Sequence, residues 1–217
     1  MSDYEEKNDF MLTPPHLSRR GFLGVAAAVG ASLILPGTAH AGPVQAFGGS
    51  PIAGGPLSSS QQNNAAFWAQ PRVINLKRRQ NNEVIHLSYF KDGKIDVEAY
   101  HRICWMMRDL KMNKATQIDI RLLDLICAMQ AWVGFYGYKK PFFVTSGYRT
   151  PEYNRTLEGA ARNSMHLYGK AADLIFPDLP VSYLGKLAQH YTAGGVGFYP
   201  SSGFVHVDTG RIRSWGK

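Results

Sequence analysis

Cysteine is nearly absent from this chain. Its 217 residues include two, Cys104 and Cys127, too few for a disulfide-stapled scaffold and not in any paired pattern that would make a thiolate zinc site. Each falls in a helix-like segment and admits two readings: a buried thiol, or one half of a disulfide across a helical hairpin in an exported protein. Acidic residues are also scarce, 16 against 24 lysines and arginines, for a net charge of +8. That balance suits an anionic or polyanionic partner. No Lys/Arg-rich block and no arginine-rich helix stands out, so no nucleic acid is expected as the partner. Long hydrophobic runs are missing too. The apolar stretch from Val25 to Leu35 is too short to span a bilayer comfortably. What remains is a globular composition, 45% hydrophobic and 12% aromatic, of a length that suits one ordinary domain plus a leader.

Residues 1–41 read as that leader. A polar start is followed by Ser18-Arg19-Arg20-Gly21-Phe22-Leu23, the apolar run, Pro36, and the small residues Ala39-His40-Ala41 around a cleavage point. Paired arginines ahead of a modestly hydrophobic core resemble a twin-arginine export signal. The expectation is a periplasmic protein that meets the twin-arginine translocase during export. Retention of the leader as a membrane anchor stays open. Removing residues 1–41 takes away three basic and four acidic groups, so the rest carries 21 basic and 12 acidic residues, net +9. Residues 42–72, rich in Gly, Pro, Ser, Gln and Asn through about Gln70, read as a flexible linker with Phe67 and Trp68 able to dock it. The working domain is expected over 73–217.

Within it, Glu83–Phe90 is apolar and β-rich and ends in the turn pair Asp92-Gly93. Helices are predicted from Asp96 to Leu110 and from Asp119 to Tyr136, with Gly137 closing the second. Pro141–Thr145 reads as a short strand, Ser146–Pro151 as a turn into a helix, and Ser182–Tyr191 as another helix. His86, His101 and His190 sit where strand, helix-face and helix-end roles explain them.

The chemistry gathers in two stretches. Ser164-Met-His166-Leu-Tyr-Gly169-Lys-Ala-Ala-Asp173 offers an imidazole and a carboxylate. Seven residues apart, they would face opposite sides of one straight strand. Gly169 permits a turn that brings both to one side. Gly203–Gly210 offers His206 on a predicted strand whose Phe204, His206 and Asp208 share one face, expected to line the cleft, while Val205 and Val207 share the other. Two imidazoles and one carboxylate, with a fourth position left for water, make the three-ligand set of a catalytic zinc site.

Ser146-Gly147-Tyr148-Arg149, the Ser164–Asp173 motif, and Gly195-x-Gly197-x-Tyr199 followed by Phe204-x-His206-x-Asp208-x-Gly210 together resemble the zinc DD-peptidase and murein endopeptidase superfamily. That group includes D-alanyl-D-alanine carboxypeptidases and VanX-like dipeptidases. The likeness is greatest to its YcbK-like, twin-arginine-exported branch and runs from about Val73 to Trp215. It implies an α+β fold of the hedgehog/DD-peptidase type, with helices flanking a small antiparallel sheet that carries one zinc ion on His166, Asp173 and His206. It implies hydrolysis of amide bonds in peptidoglycan stem peptides or cross-links by a metal-activated water. Arg149 would steady substrate carboxylate or developing oxyanion charge, and Ser164 and Tyr199 would contact substrate. Ser164 alone also reads as a turn serine. Many relatives place a Glu three residues before the last ligand or a His two before it, where this chain has Gly203 and Phe204. Asp208 is then the expected general base, or else a group that orients His206. The alternative is a catalytically inactive, zinc-containing peptidoglycan-binding module. No stable protein partner is expected, and both D-alanine–diaminopimelate and diaminopimelate–diaminopimelate bonds remain open as targets.

Overall fold

The structure, a computed structural model, describes residues 66–216. The expected leader (1–41) and residues 42–65 of the expected linker lie outside the described residues. Residues 66–69 are helical, and Trp68 is buried beside the Arg72 guanidinium at 4.9 Å from its ring. The last stretch of the expected linker is thus built into the domain. Arg72 donates to Asp124 at 2.9 Å, and Tyr89 donates to the same carboxylate oxygen at 2.7 Å, so the buried charge is paired and hydrogen-bonded.

Eight strands form one sheet in the order β3-β2-β1-β4-β5-β7-β6-β8. They are β1 Arg72–Arg78, β2 Val84–Lys91, β3 Lys94–Ile95, β4 Phe142–Ser146, β5 Ala171–Ile175, β6 Gly195–Tyr199, β7 Phe204–Asp208 and β8 Arg213–Trp215. The fold is α+β, but the sheet is neither small nor purely antiparallel. β1 pairs with β4 in parallel, and so does β6 with β8. The first pairing returns the chain through two helices, α1 Val97–Met106 and α2 Ile120–Phe135, a crossover of the kind parallel neighbours need.

The sheet's inner face is read directly from period-2 burial. In β1, Ile74 and Leu76 are fully buried, as are Phe142 and Val144 in β4 and Val205 and Val207 in β7. α2 lies over β1, and α4 (Val181–Tyr191) over β6 and β7, closing one core. A short helix, α3 (Pro151–Thr156), starts at the Thr150 cap. α1 starts at the Asp96 cap and stops at Met106, short of the expected Leu110. The Met107 carbonyl instead accepts from the Tyr148 amide at 2.7 Å, which docks the Ser146–Arg149 segment. No helix among the described residues is long and apolar enough to cross a membrane. Cys104 and Cys127 are both free and buried.

Candidate metal centre

The polar residues of the site form rows across the sheet. In the pairing of β4, β5, β7, β6 and β8, Ser146 lies opposite Asp173, Asp173 opposite His206, His206 opposite Gly197, and Gly197 opposite Trp215. Paired residues project to the same side. Two residues along, Ala171 faces Asp208 and Gly195 faces Arg213. His166 comes from outside the sheet, on a 3-10 turn (Met165–Tyr168) capped by Ser164 and ended by Gly169 at φ +64°. A side chain at Gly169 would also run into the Gln117 carbonyl. The turn expected from this glycine is therefore formed, and it sets His166 beside Asp173.

Three donor atoms meet. His166 Nε2 lies 3.2 Å from His206 Nδ1 and 3.2 Å from Asp173 Oδ1, and His206 Nδ1 lies 2.9 Å from the same oxygen. Among the described residues this is the one His/Cys/Asp/Glu group that could hold a metal ion. A tetrahedral ion about 2.0–2.1 Å from each ligand would set such atoms roughly 3.3 Å apart, close to these edges.

The far side of each imidazole supports the same reading. His166 Nδ1 lies 2.6 Å from the Gly147 carbonyl, which can only accept. His206 Nε2 lies 3.0 Å from Asp208 Oδ2. Both rings therefore spend their N–H on these partners and turn lone pairs toward the Asp173 carboxylate. Three acceptors face one another at contact distance, an arrangement that a cation between them resolves. The donor set fits a mononuclear zinc site.

With no ion between the rings, electrostatics act on them in opposite directions. Burial lowers the His166 pKa and keeps the ring neutral. Burial pushes Asp173 up, but His166 and His206, when a proton stands where the ion would, outweigh it and hold this carboxyl well below the usual range. Burial opposes charge on His206, yet its bonds to Asp173 and Asp208 raise it.

The cleft in front of the triangle has a volume of about 520 Å³ and is lined by Arg149, Ser164, Tyr199, Phe204, Arg213 and Trp215, among others. Arg149 donates from Nη2 to Asp173 Oδ2 at 2.5 Å and from Nε to Ser146 Oγ at 2.7 Å. Tyr199 stacks on Phe204, ring centroids 4.5 Å apart, and accepts from Trp215 Nε1 at 2.9 Å. Ser164 lines the cleft and also accepts from the His166 amide as the turn's cap.

Asp208 is placed differently from the sequence expectation. It is fully buried behind His206 and does not line the cleft. Oδ1 accepts from the Gly195 and Gly210 amides at 2.9 and 2.8 Å, and both oxygens accept from Arg213. Sharing a strand face with His206 does place Asp208 beside the ring, but on the side away from Asp173. Sequence reasoning also passed over Arg213, Trp215 and Glu158. The first two lie on a three-residue strand too short to show a period, and Glu158 lies in the loop before the motif, where it reaches the cleft wall.

A mixed sheet presenting a His-Asp-His triangle to an open cleft defines a metallopeptidase-type centre. Residues 66–215 match the family model Peptidase_M15_2, described as peptidoglycan L,D-endopeptidase MepK, and the chain belongs to this family. It is 35% identical over 150 residues to the peptidoglycan L,D-endopeptidase MepK of Escherichia coli (strain K12), covering 67% of this chain and 81% of that protein. A probable peptidoglycan L,D-endopeptidase MepK of Haemophilus influenzae is 29% identical over 150 residues, covering 67% of this chain and 80% of its own.

Proposed function

We propose that this chain hydrolyses amide bonds in the peptide cross-links of peptidoglycan, with one zinc ion held by His166, Asp173 and His206. The observation that carries this reading is the triangle of three acceptor atoms, each imidazole locked from behind, in a chain of this endopeptidase family. The L,D linkage named for the relatives favours the diaminopimelate–diaminopimelate bond, which joins an L centre to a D centre. Action on wall peptides, together with the twin-arginine-like leader, supports the periplasm as the working location.

When bound, zinc supplies Lewis-acid polarisation and a water whose pKa falls to about 7. The chain's own residues do the rest. His166 and His206 present neutral lone pairs, and Asp173 supplies one negative charge that partly offsets the ion's. Arg149 holds Asp173 Oδ2 and leaves Nη1 outside both of these bonds, so its charge serves a substrate carboxylate or a carbonyl oxygen gaining charge. Tyr199, Phe204 and Trp215 give the stem peptide an aromatic wall. Ser164 fixes the turn that carries His166. Asp208 orients His206 and is not the group that moves the proton.

Purified protein incubated with defined cross-linked muropeptides, followed by mass spectrometry, tests this. Dimers are expected to become monomers, to persist under a chelator, and to be cleaved again on zinc addition. Cleavage that ignores the chelator, or no cleavage with zinc present, sinks the reading.

A further inference from the structure

Two side chains of β8 reach the metal centre across β6, and β6 is bare where they cross. Arg213 and Trp215 stand opposite Gly195 and Gly197 in the parallel β6–β8 pair. A Cβ at Gly195 would collide with the Arg213 guanidinium and the Asp208 carboxylate. A Cβ at Gly197 would lie 2.6 Å from the Trp215 ring. The Gly195-x-Gly197 pattern is thus the gap through which β8 touches β7. Arg213 donates from Nη1 to Asp208 Oδ1 at 3.2 Å and from Nη2 to Oδ2 at 2.8 Å, a two-pronged grip on one carboxylate. Trp215 lies 5.2 Å from the His206 ring, centroid to centroid, with the Arg213 guanidinium 4.8 Å over its own ring.

We propose that Arg213 is a positioning residue for the metal centre, acting through Asp208 to hold His206 with Nδ1 toward the ion, while Trp215 sets the plane of the ring. This rests on the metal-site reading above. Asp208 has two oxygens and four N–H groups to serve besides His206. Without the Arg213 fork, Oδ2 keeps only its contact with His206, and its hold on the ring's tautomer weakens. Outer partners of this kind typically change metal affinity about 10–100-fold when removed.

The test is zinc affinity of the full chain by competition with a chromophoric chelator, together with thermal unfolding with and without zinc. Arg213→Ala is expected to weaken zinc binding about 10-fold or more. The zinc-free unfolding temperature should fall somewhat, because the buried Asp208 carboxylate loses its cationic partner, so the zinc-linked rise is compared within each variant. The zinc-linked rise in unfolding temperature then shrinks, a readout that a merely structural role would not move. Arg213→Lys recovers part of the affinity, since a point charge replaces a fork. Arg211→Ala, an exposed neighbour, leaves it unchanged. Should Arg213→Ala fail to fold, Arg213→Gln carries the same comparison. If the parent binds zinc, His166→Ala does not, and the Arg213 variants match the parent, the positioning role is overturned and the metal site stands. If the parent and His166→Ala give the same result, the metal-site reading itself falls, and the inference with it.

Discussion

At Asp208, proton carrier and positioning group are told apart by what its two oxygens touch. Four N–H groups and the His206 ring occupy them, and burial leaves no route to the cleft. Asp208→Asn keeps the size but puts an amide N–H or a weaker acceptor against His206 Nε2. In the first case the ring must carry its hydrogen on Nδ1, where the ion needs a lone pair. Zinc affinity should fall about 10–100-fold, and turnover should climb back as zinc is raised. A lost general base would instead leave turnover low at saturating zinc, so activity titrated against zinc decides. The cysteines allow a second residue-scale prediction. Burial pushes the Cys127 thiol up to about 12 and raises Cys104 as well. Neither should react with iodoacetamide in the native protein at neutral pH, and both should after denaturation, counted by mass. That His166, Asp173 and His206 would meet was legible because imidazole and carboxylate next to a glycine turn are rare and chemically pointed. The burial of Asp208 behind His206 was not, because strand alternation gives a face but not which side of a neighbouring ring that face meets.

At the scale of elements, the helices were readable to within a turn, since Asp96 and Asp119 cap them and apolar residues recur at helical spacing. The end of α1 was not readable, because a tertiary bond from Tyr148 claims the Met107 carbonyl. Just beyond, Asp109 ties this junction. Buried almost completely, it accepts from the Lys111, Met112 and Thr150 amides at 2.9, 3.1 and 2.8 Å and from the Thr150 hydroxyl at 2.9 Å. It thereby fastens the segment after α1 to the cap of α3, next to Arg149. Asp109→Ala strands several buried donors and should cost about 3 kcal/mol or more in urea unfolding. Because Arg149 follows from that anchor, KM should rise as well in any variant that still folds. The sheet's long-range pairings left no local mark. Nothing near β1 announces β4 as its neighbour, and β8 is three residues long.

For the whole molecule, the net charge is +8. Binding to intact sacculi should weaken markedly between about 50 and 500 mM salt, as exposed charges are screened within a few ångströms. Cleavage of a small soluble muropeptide should change far less over the same range, and running both assays together measures the difference. The row of site residues across β4, β5, β7, β6 and β8 draws on positions 146, 173, 206, 197 and 215, so the order of synthesis matters. Arg213 and Trp215 are the last contributors to leave the ribosome. Until they dock across the bare strip of β6, a nascent chain can hold most of its core yet lacks the brace behind His206.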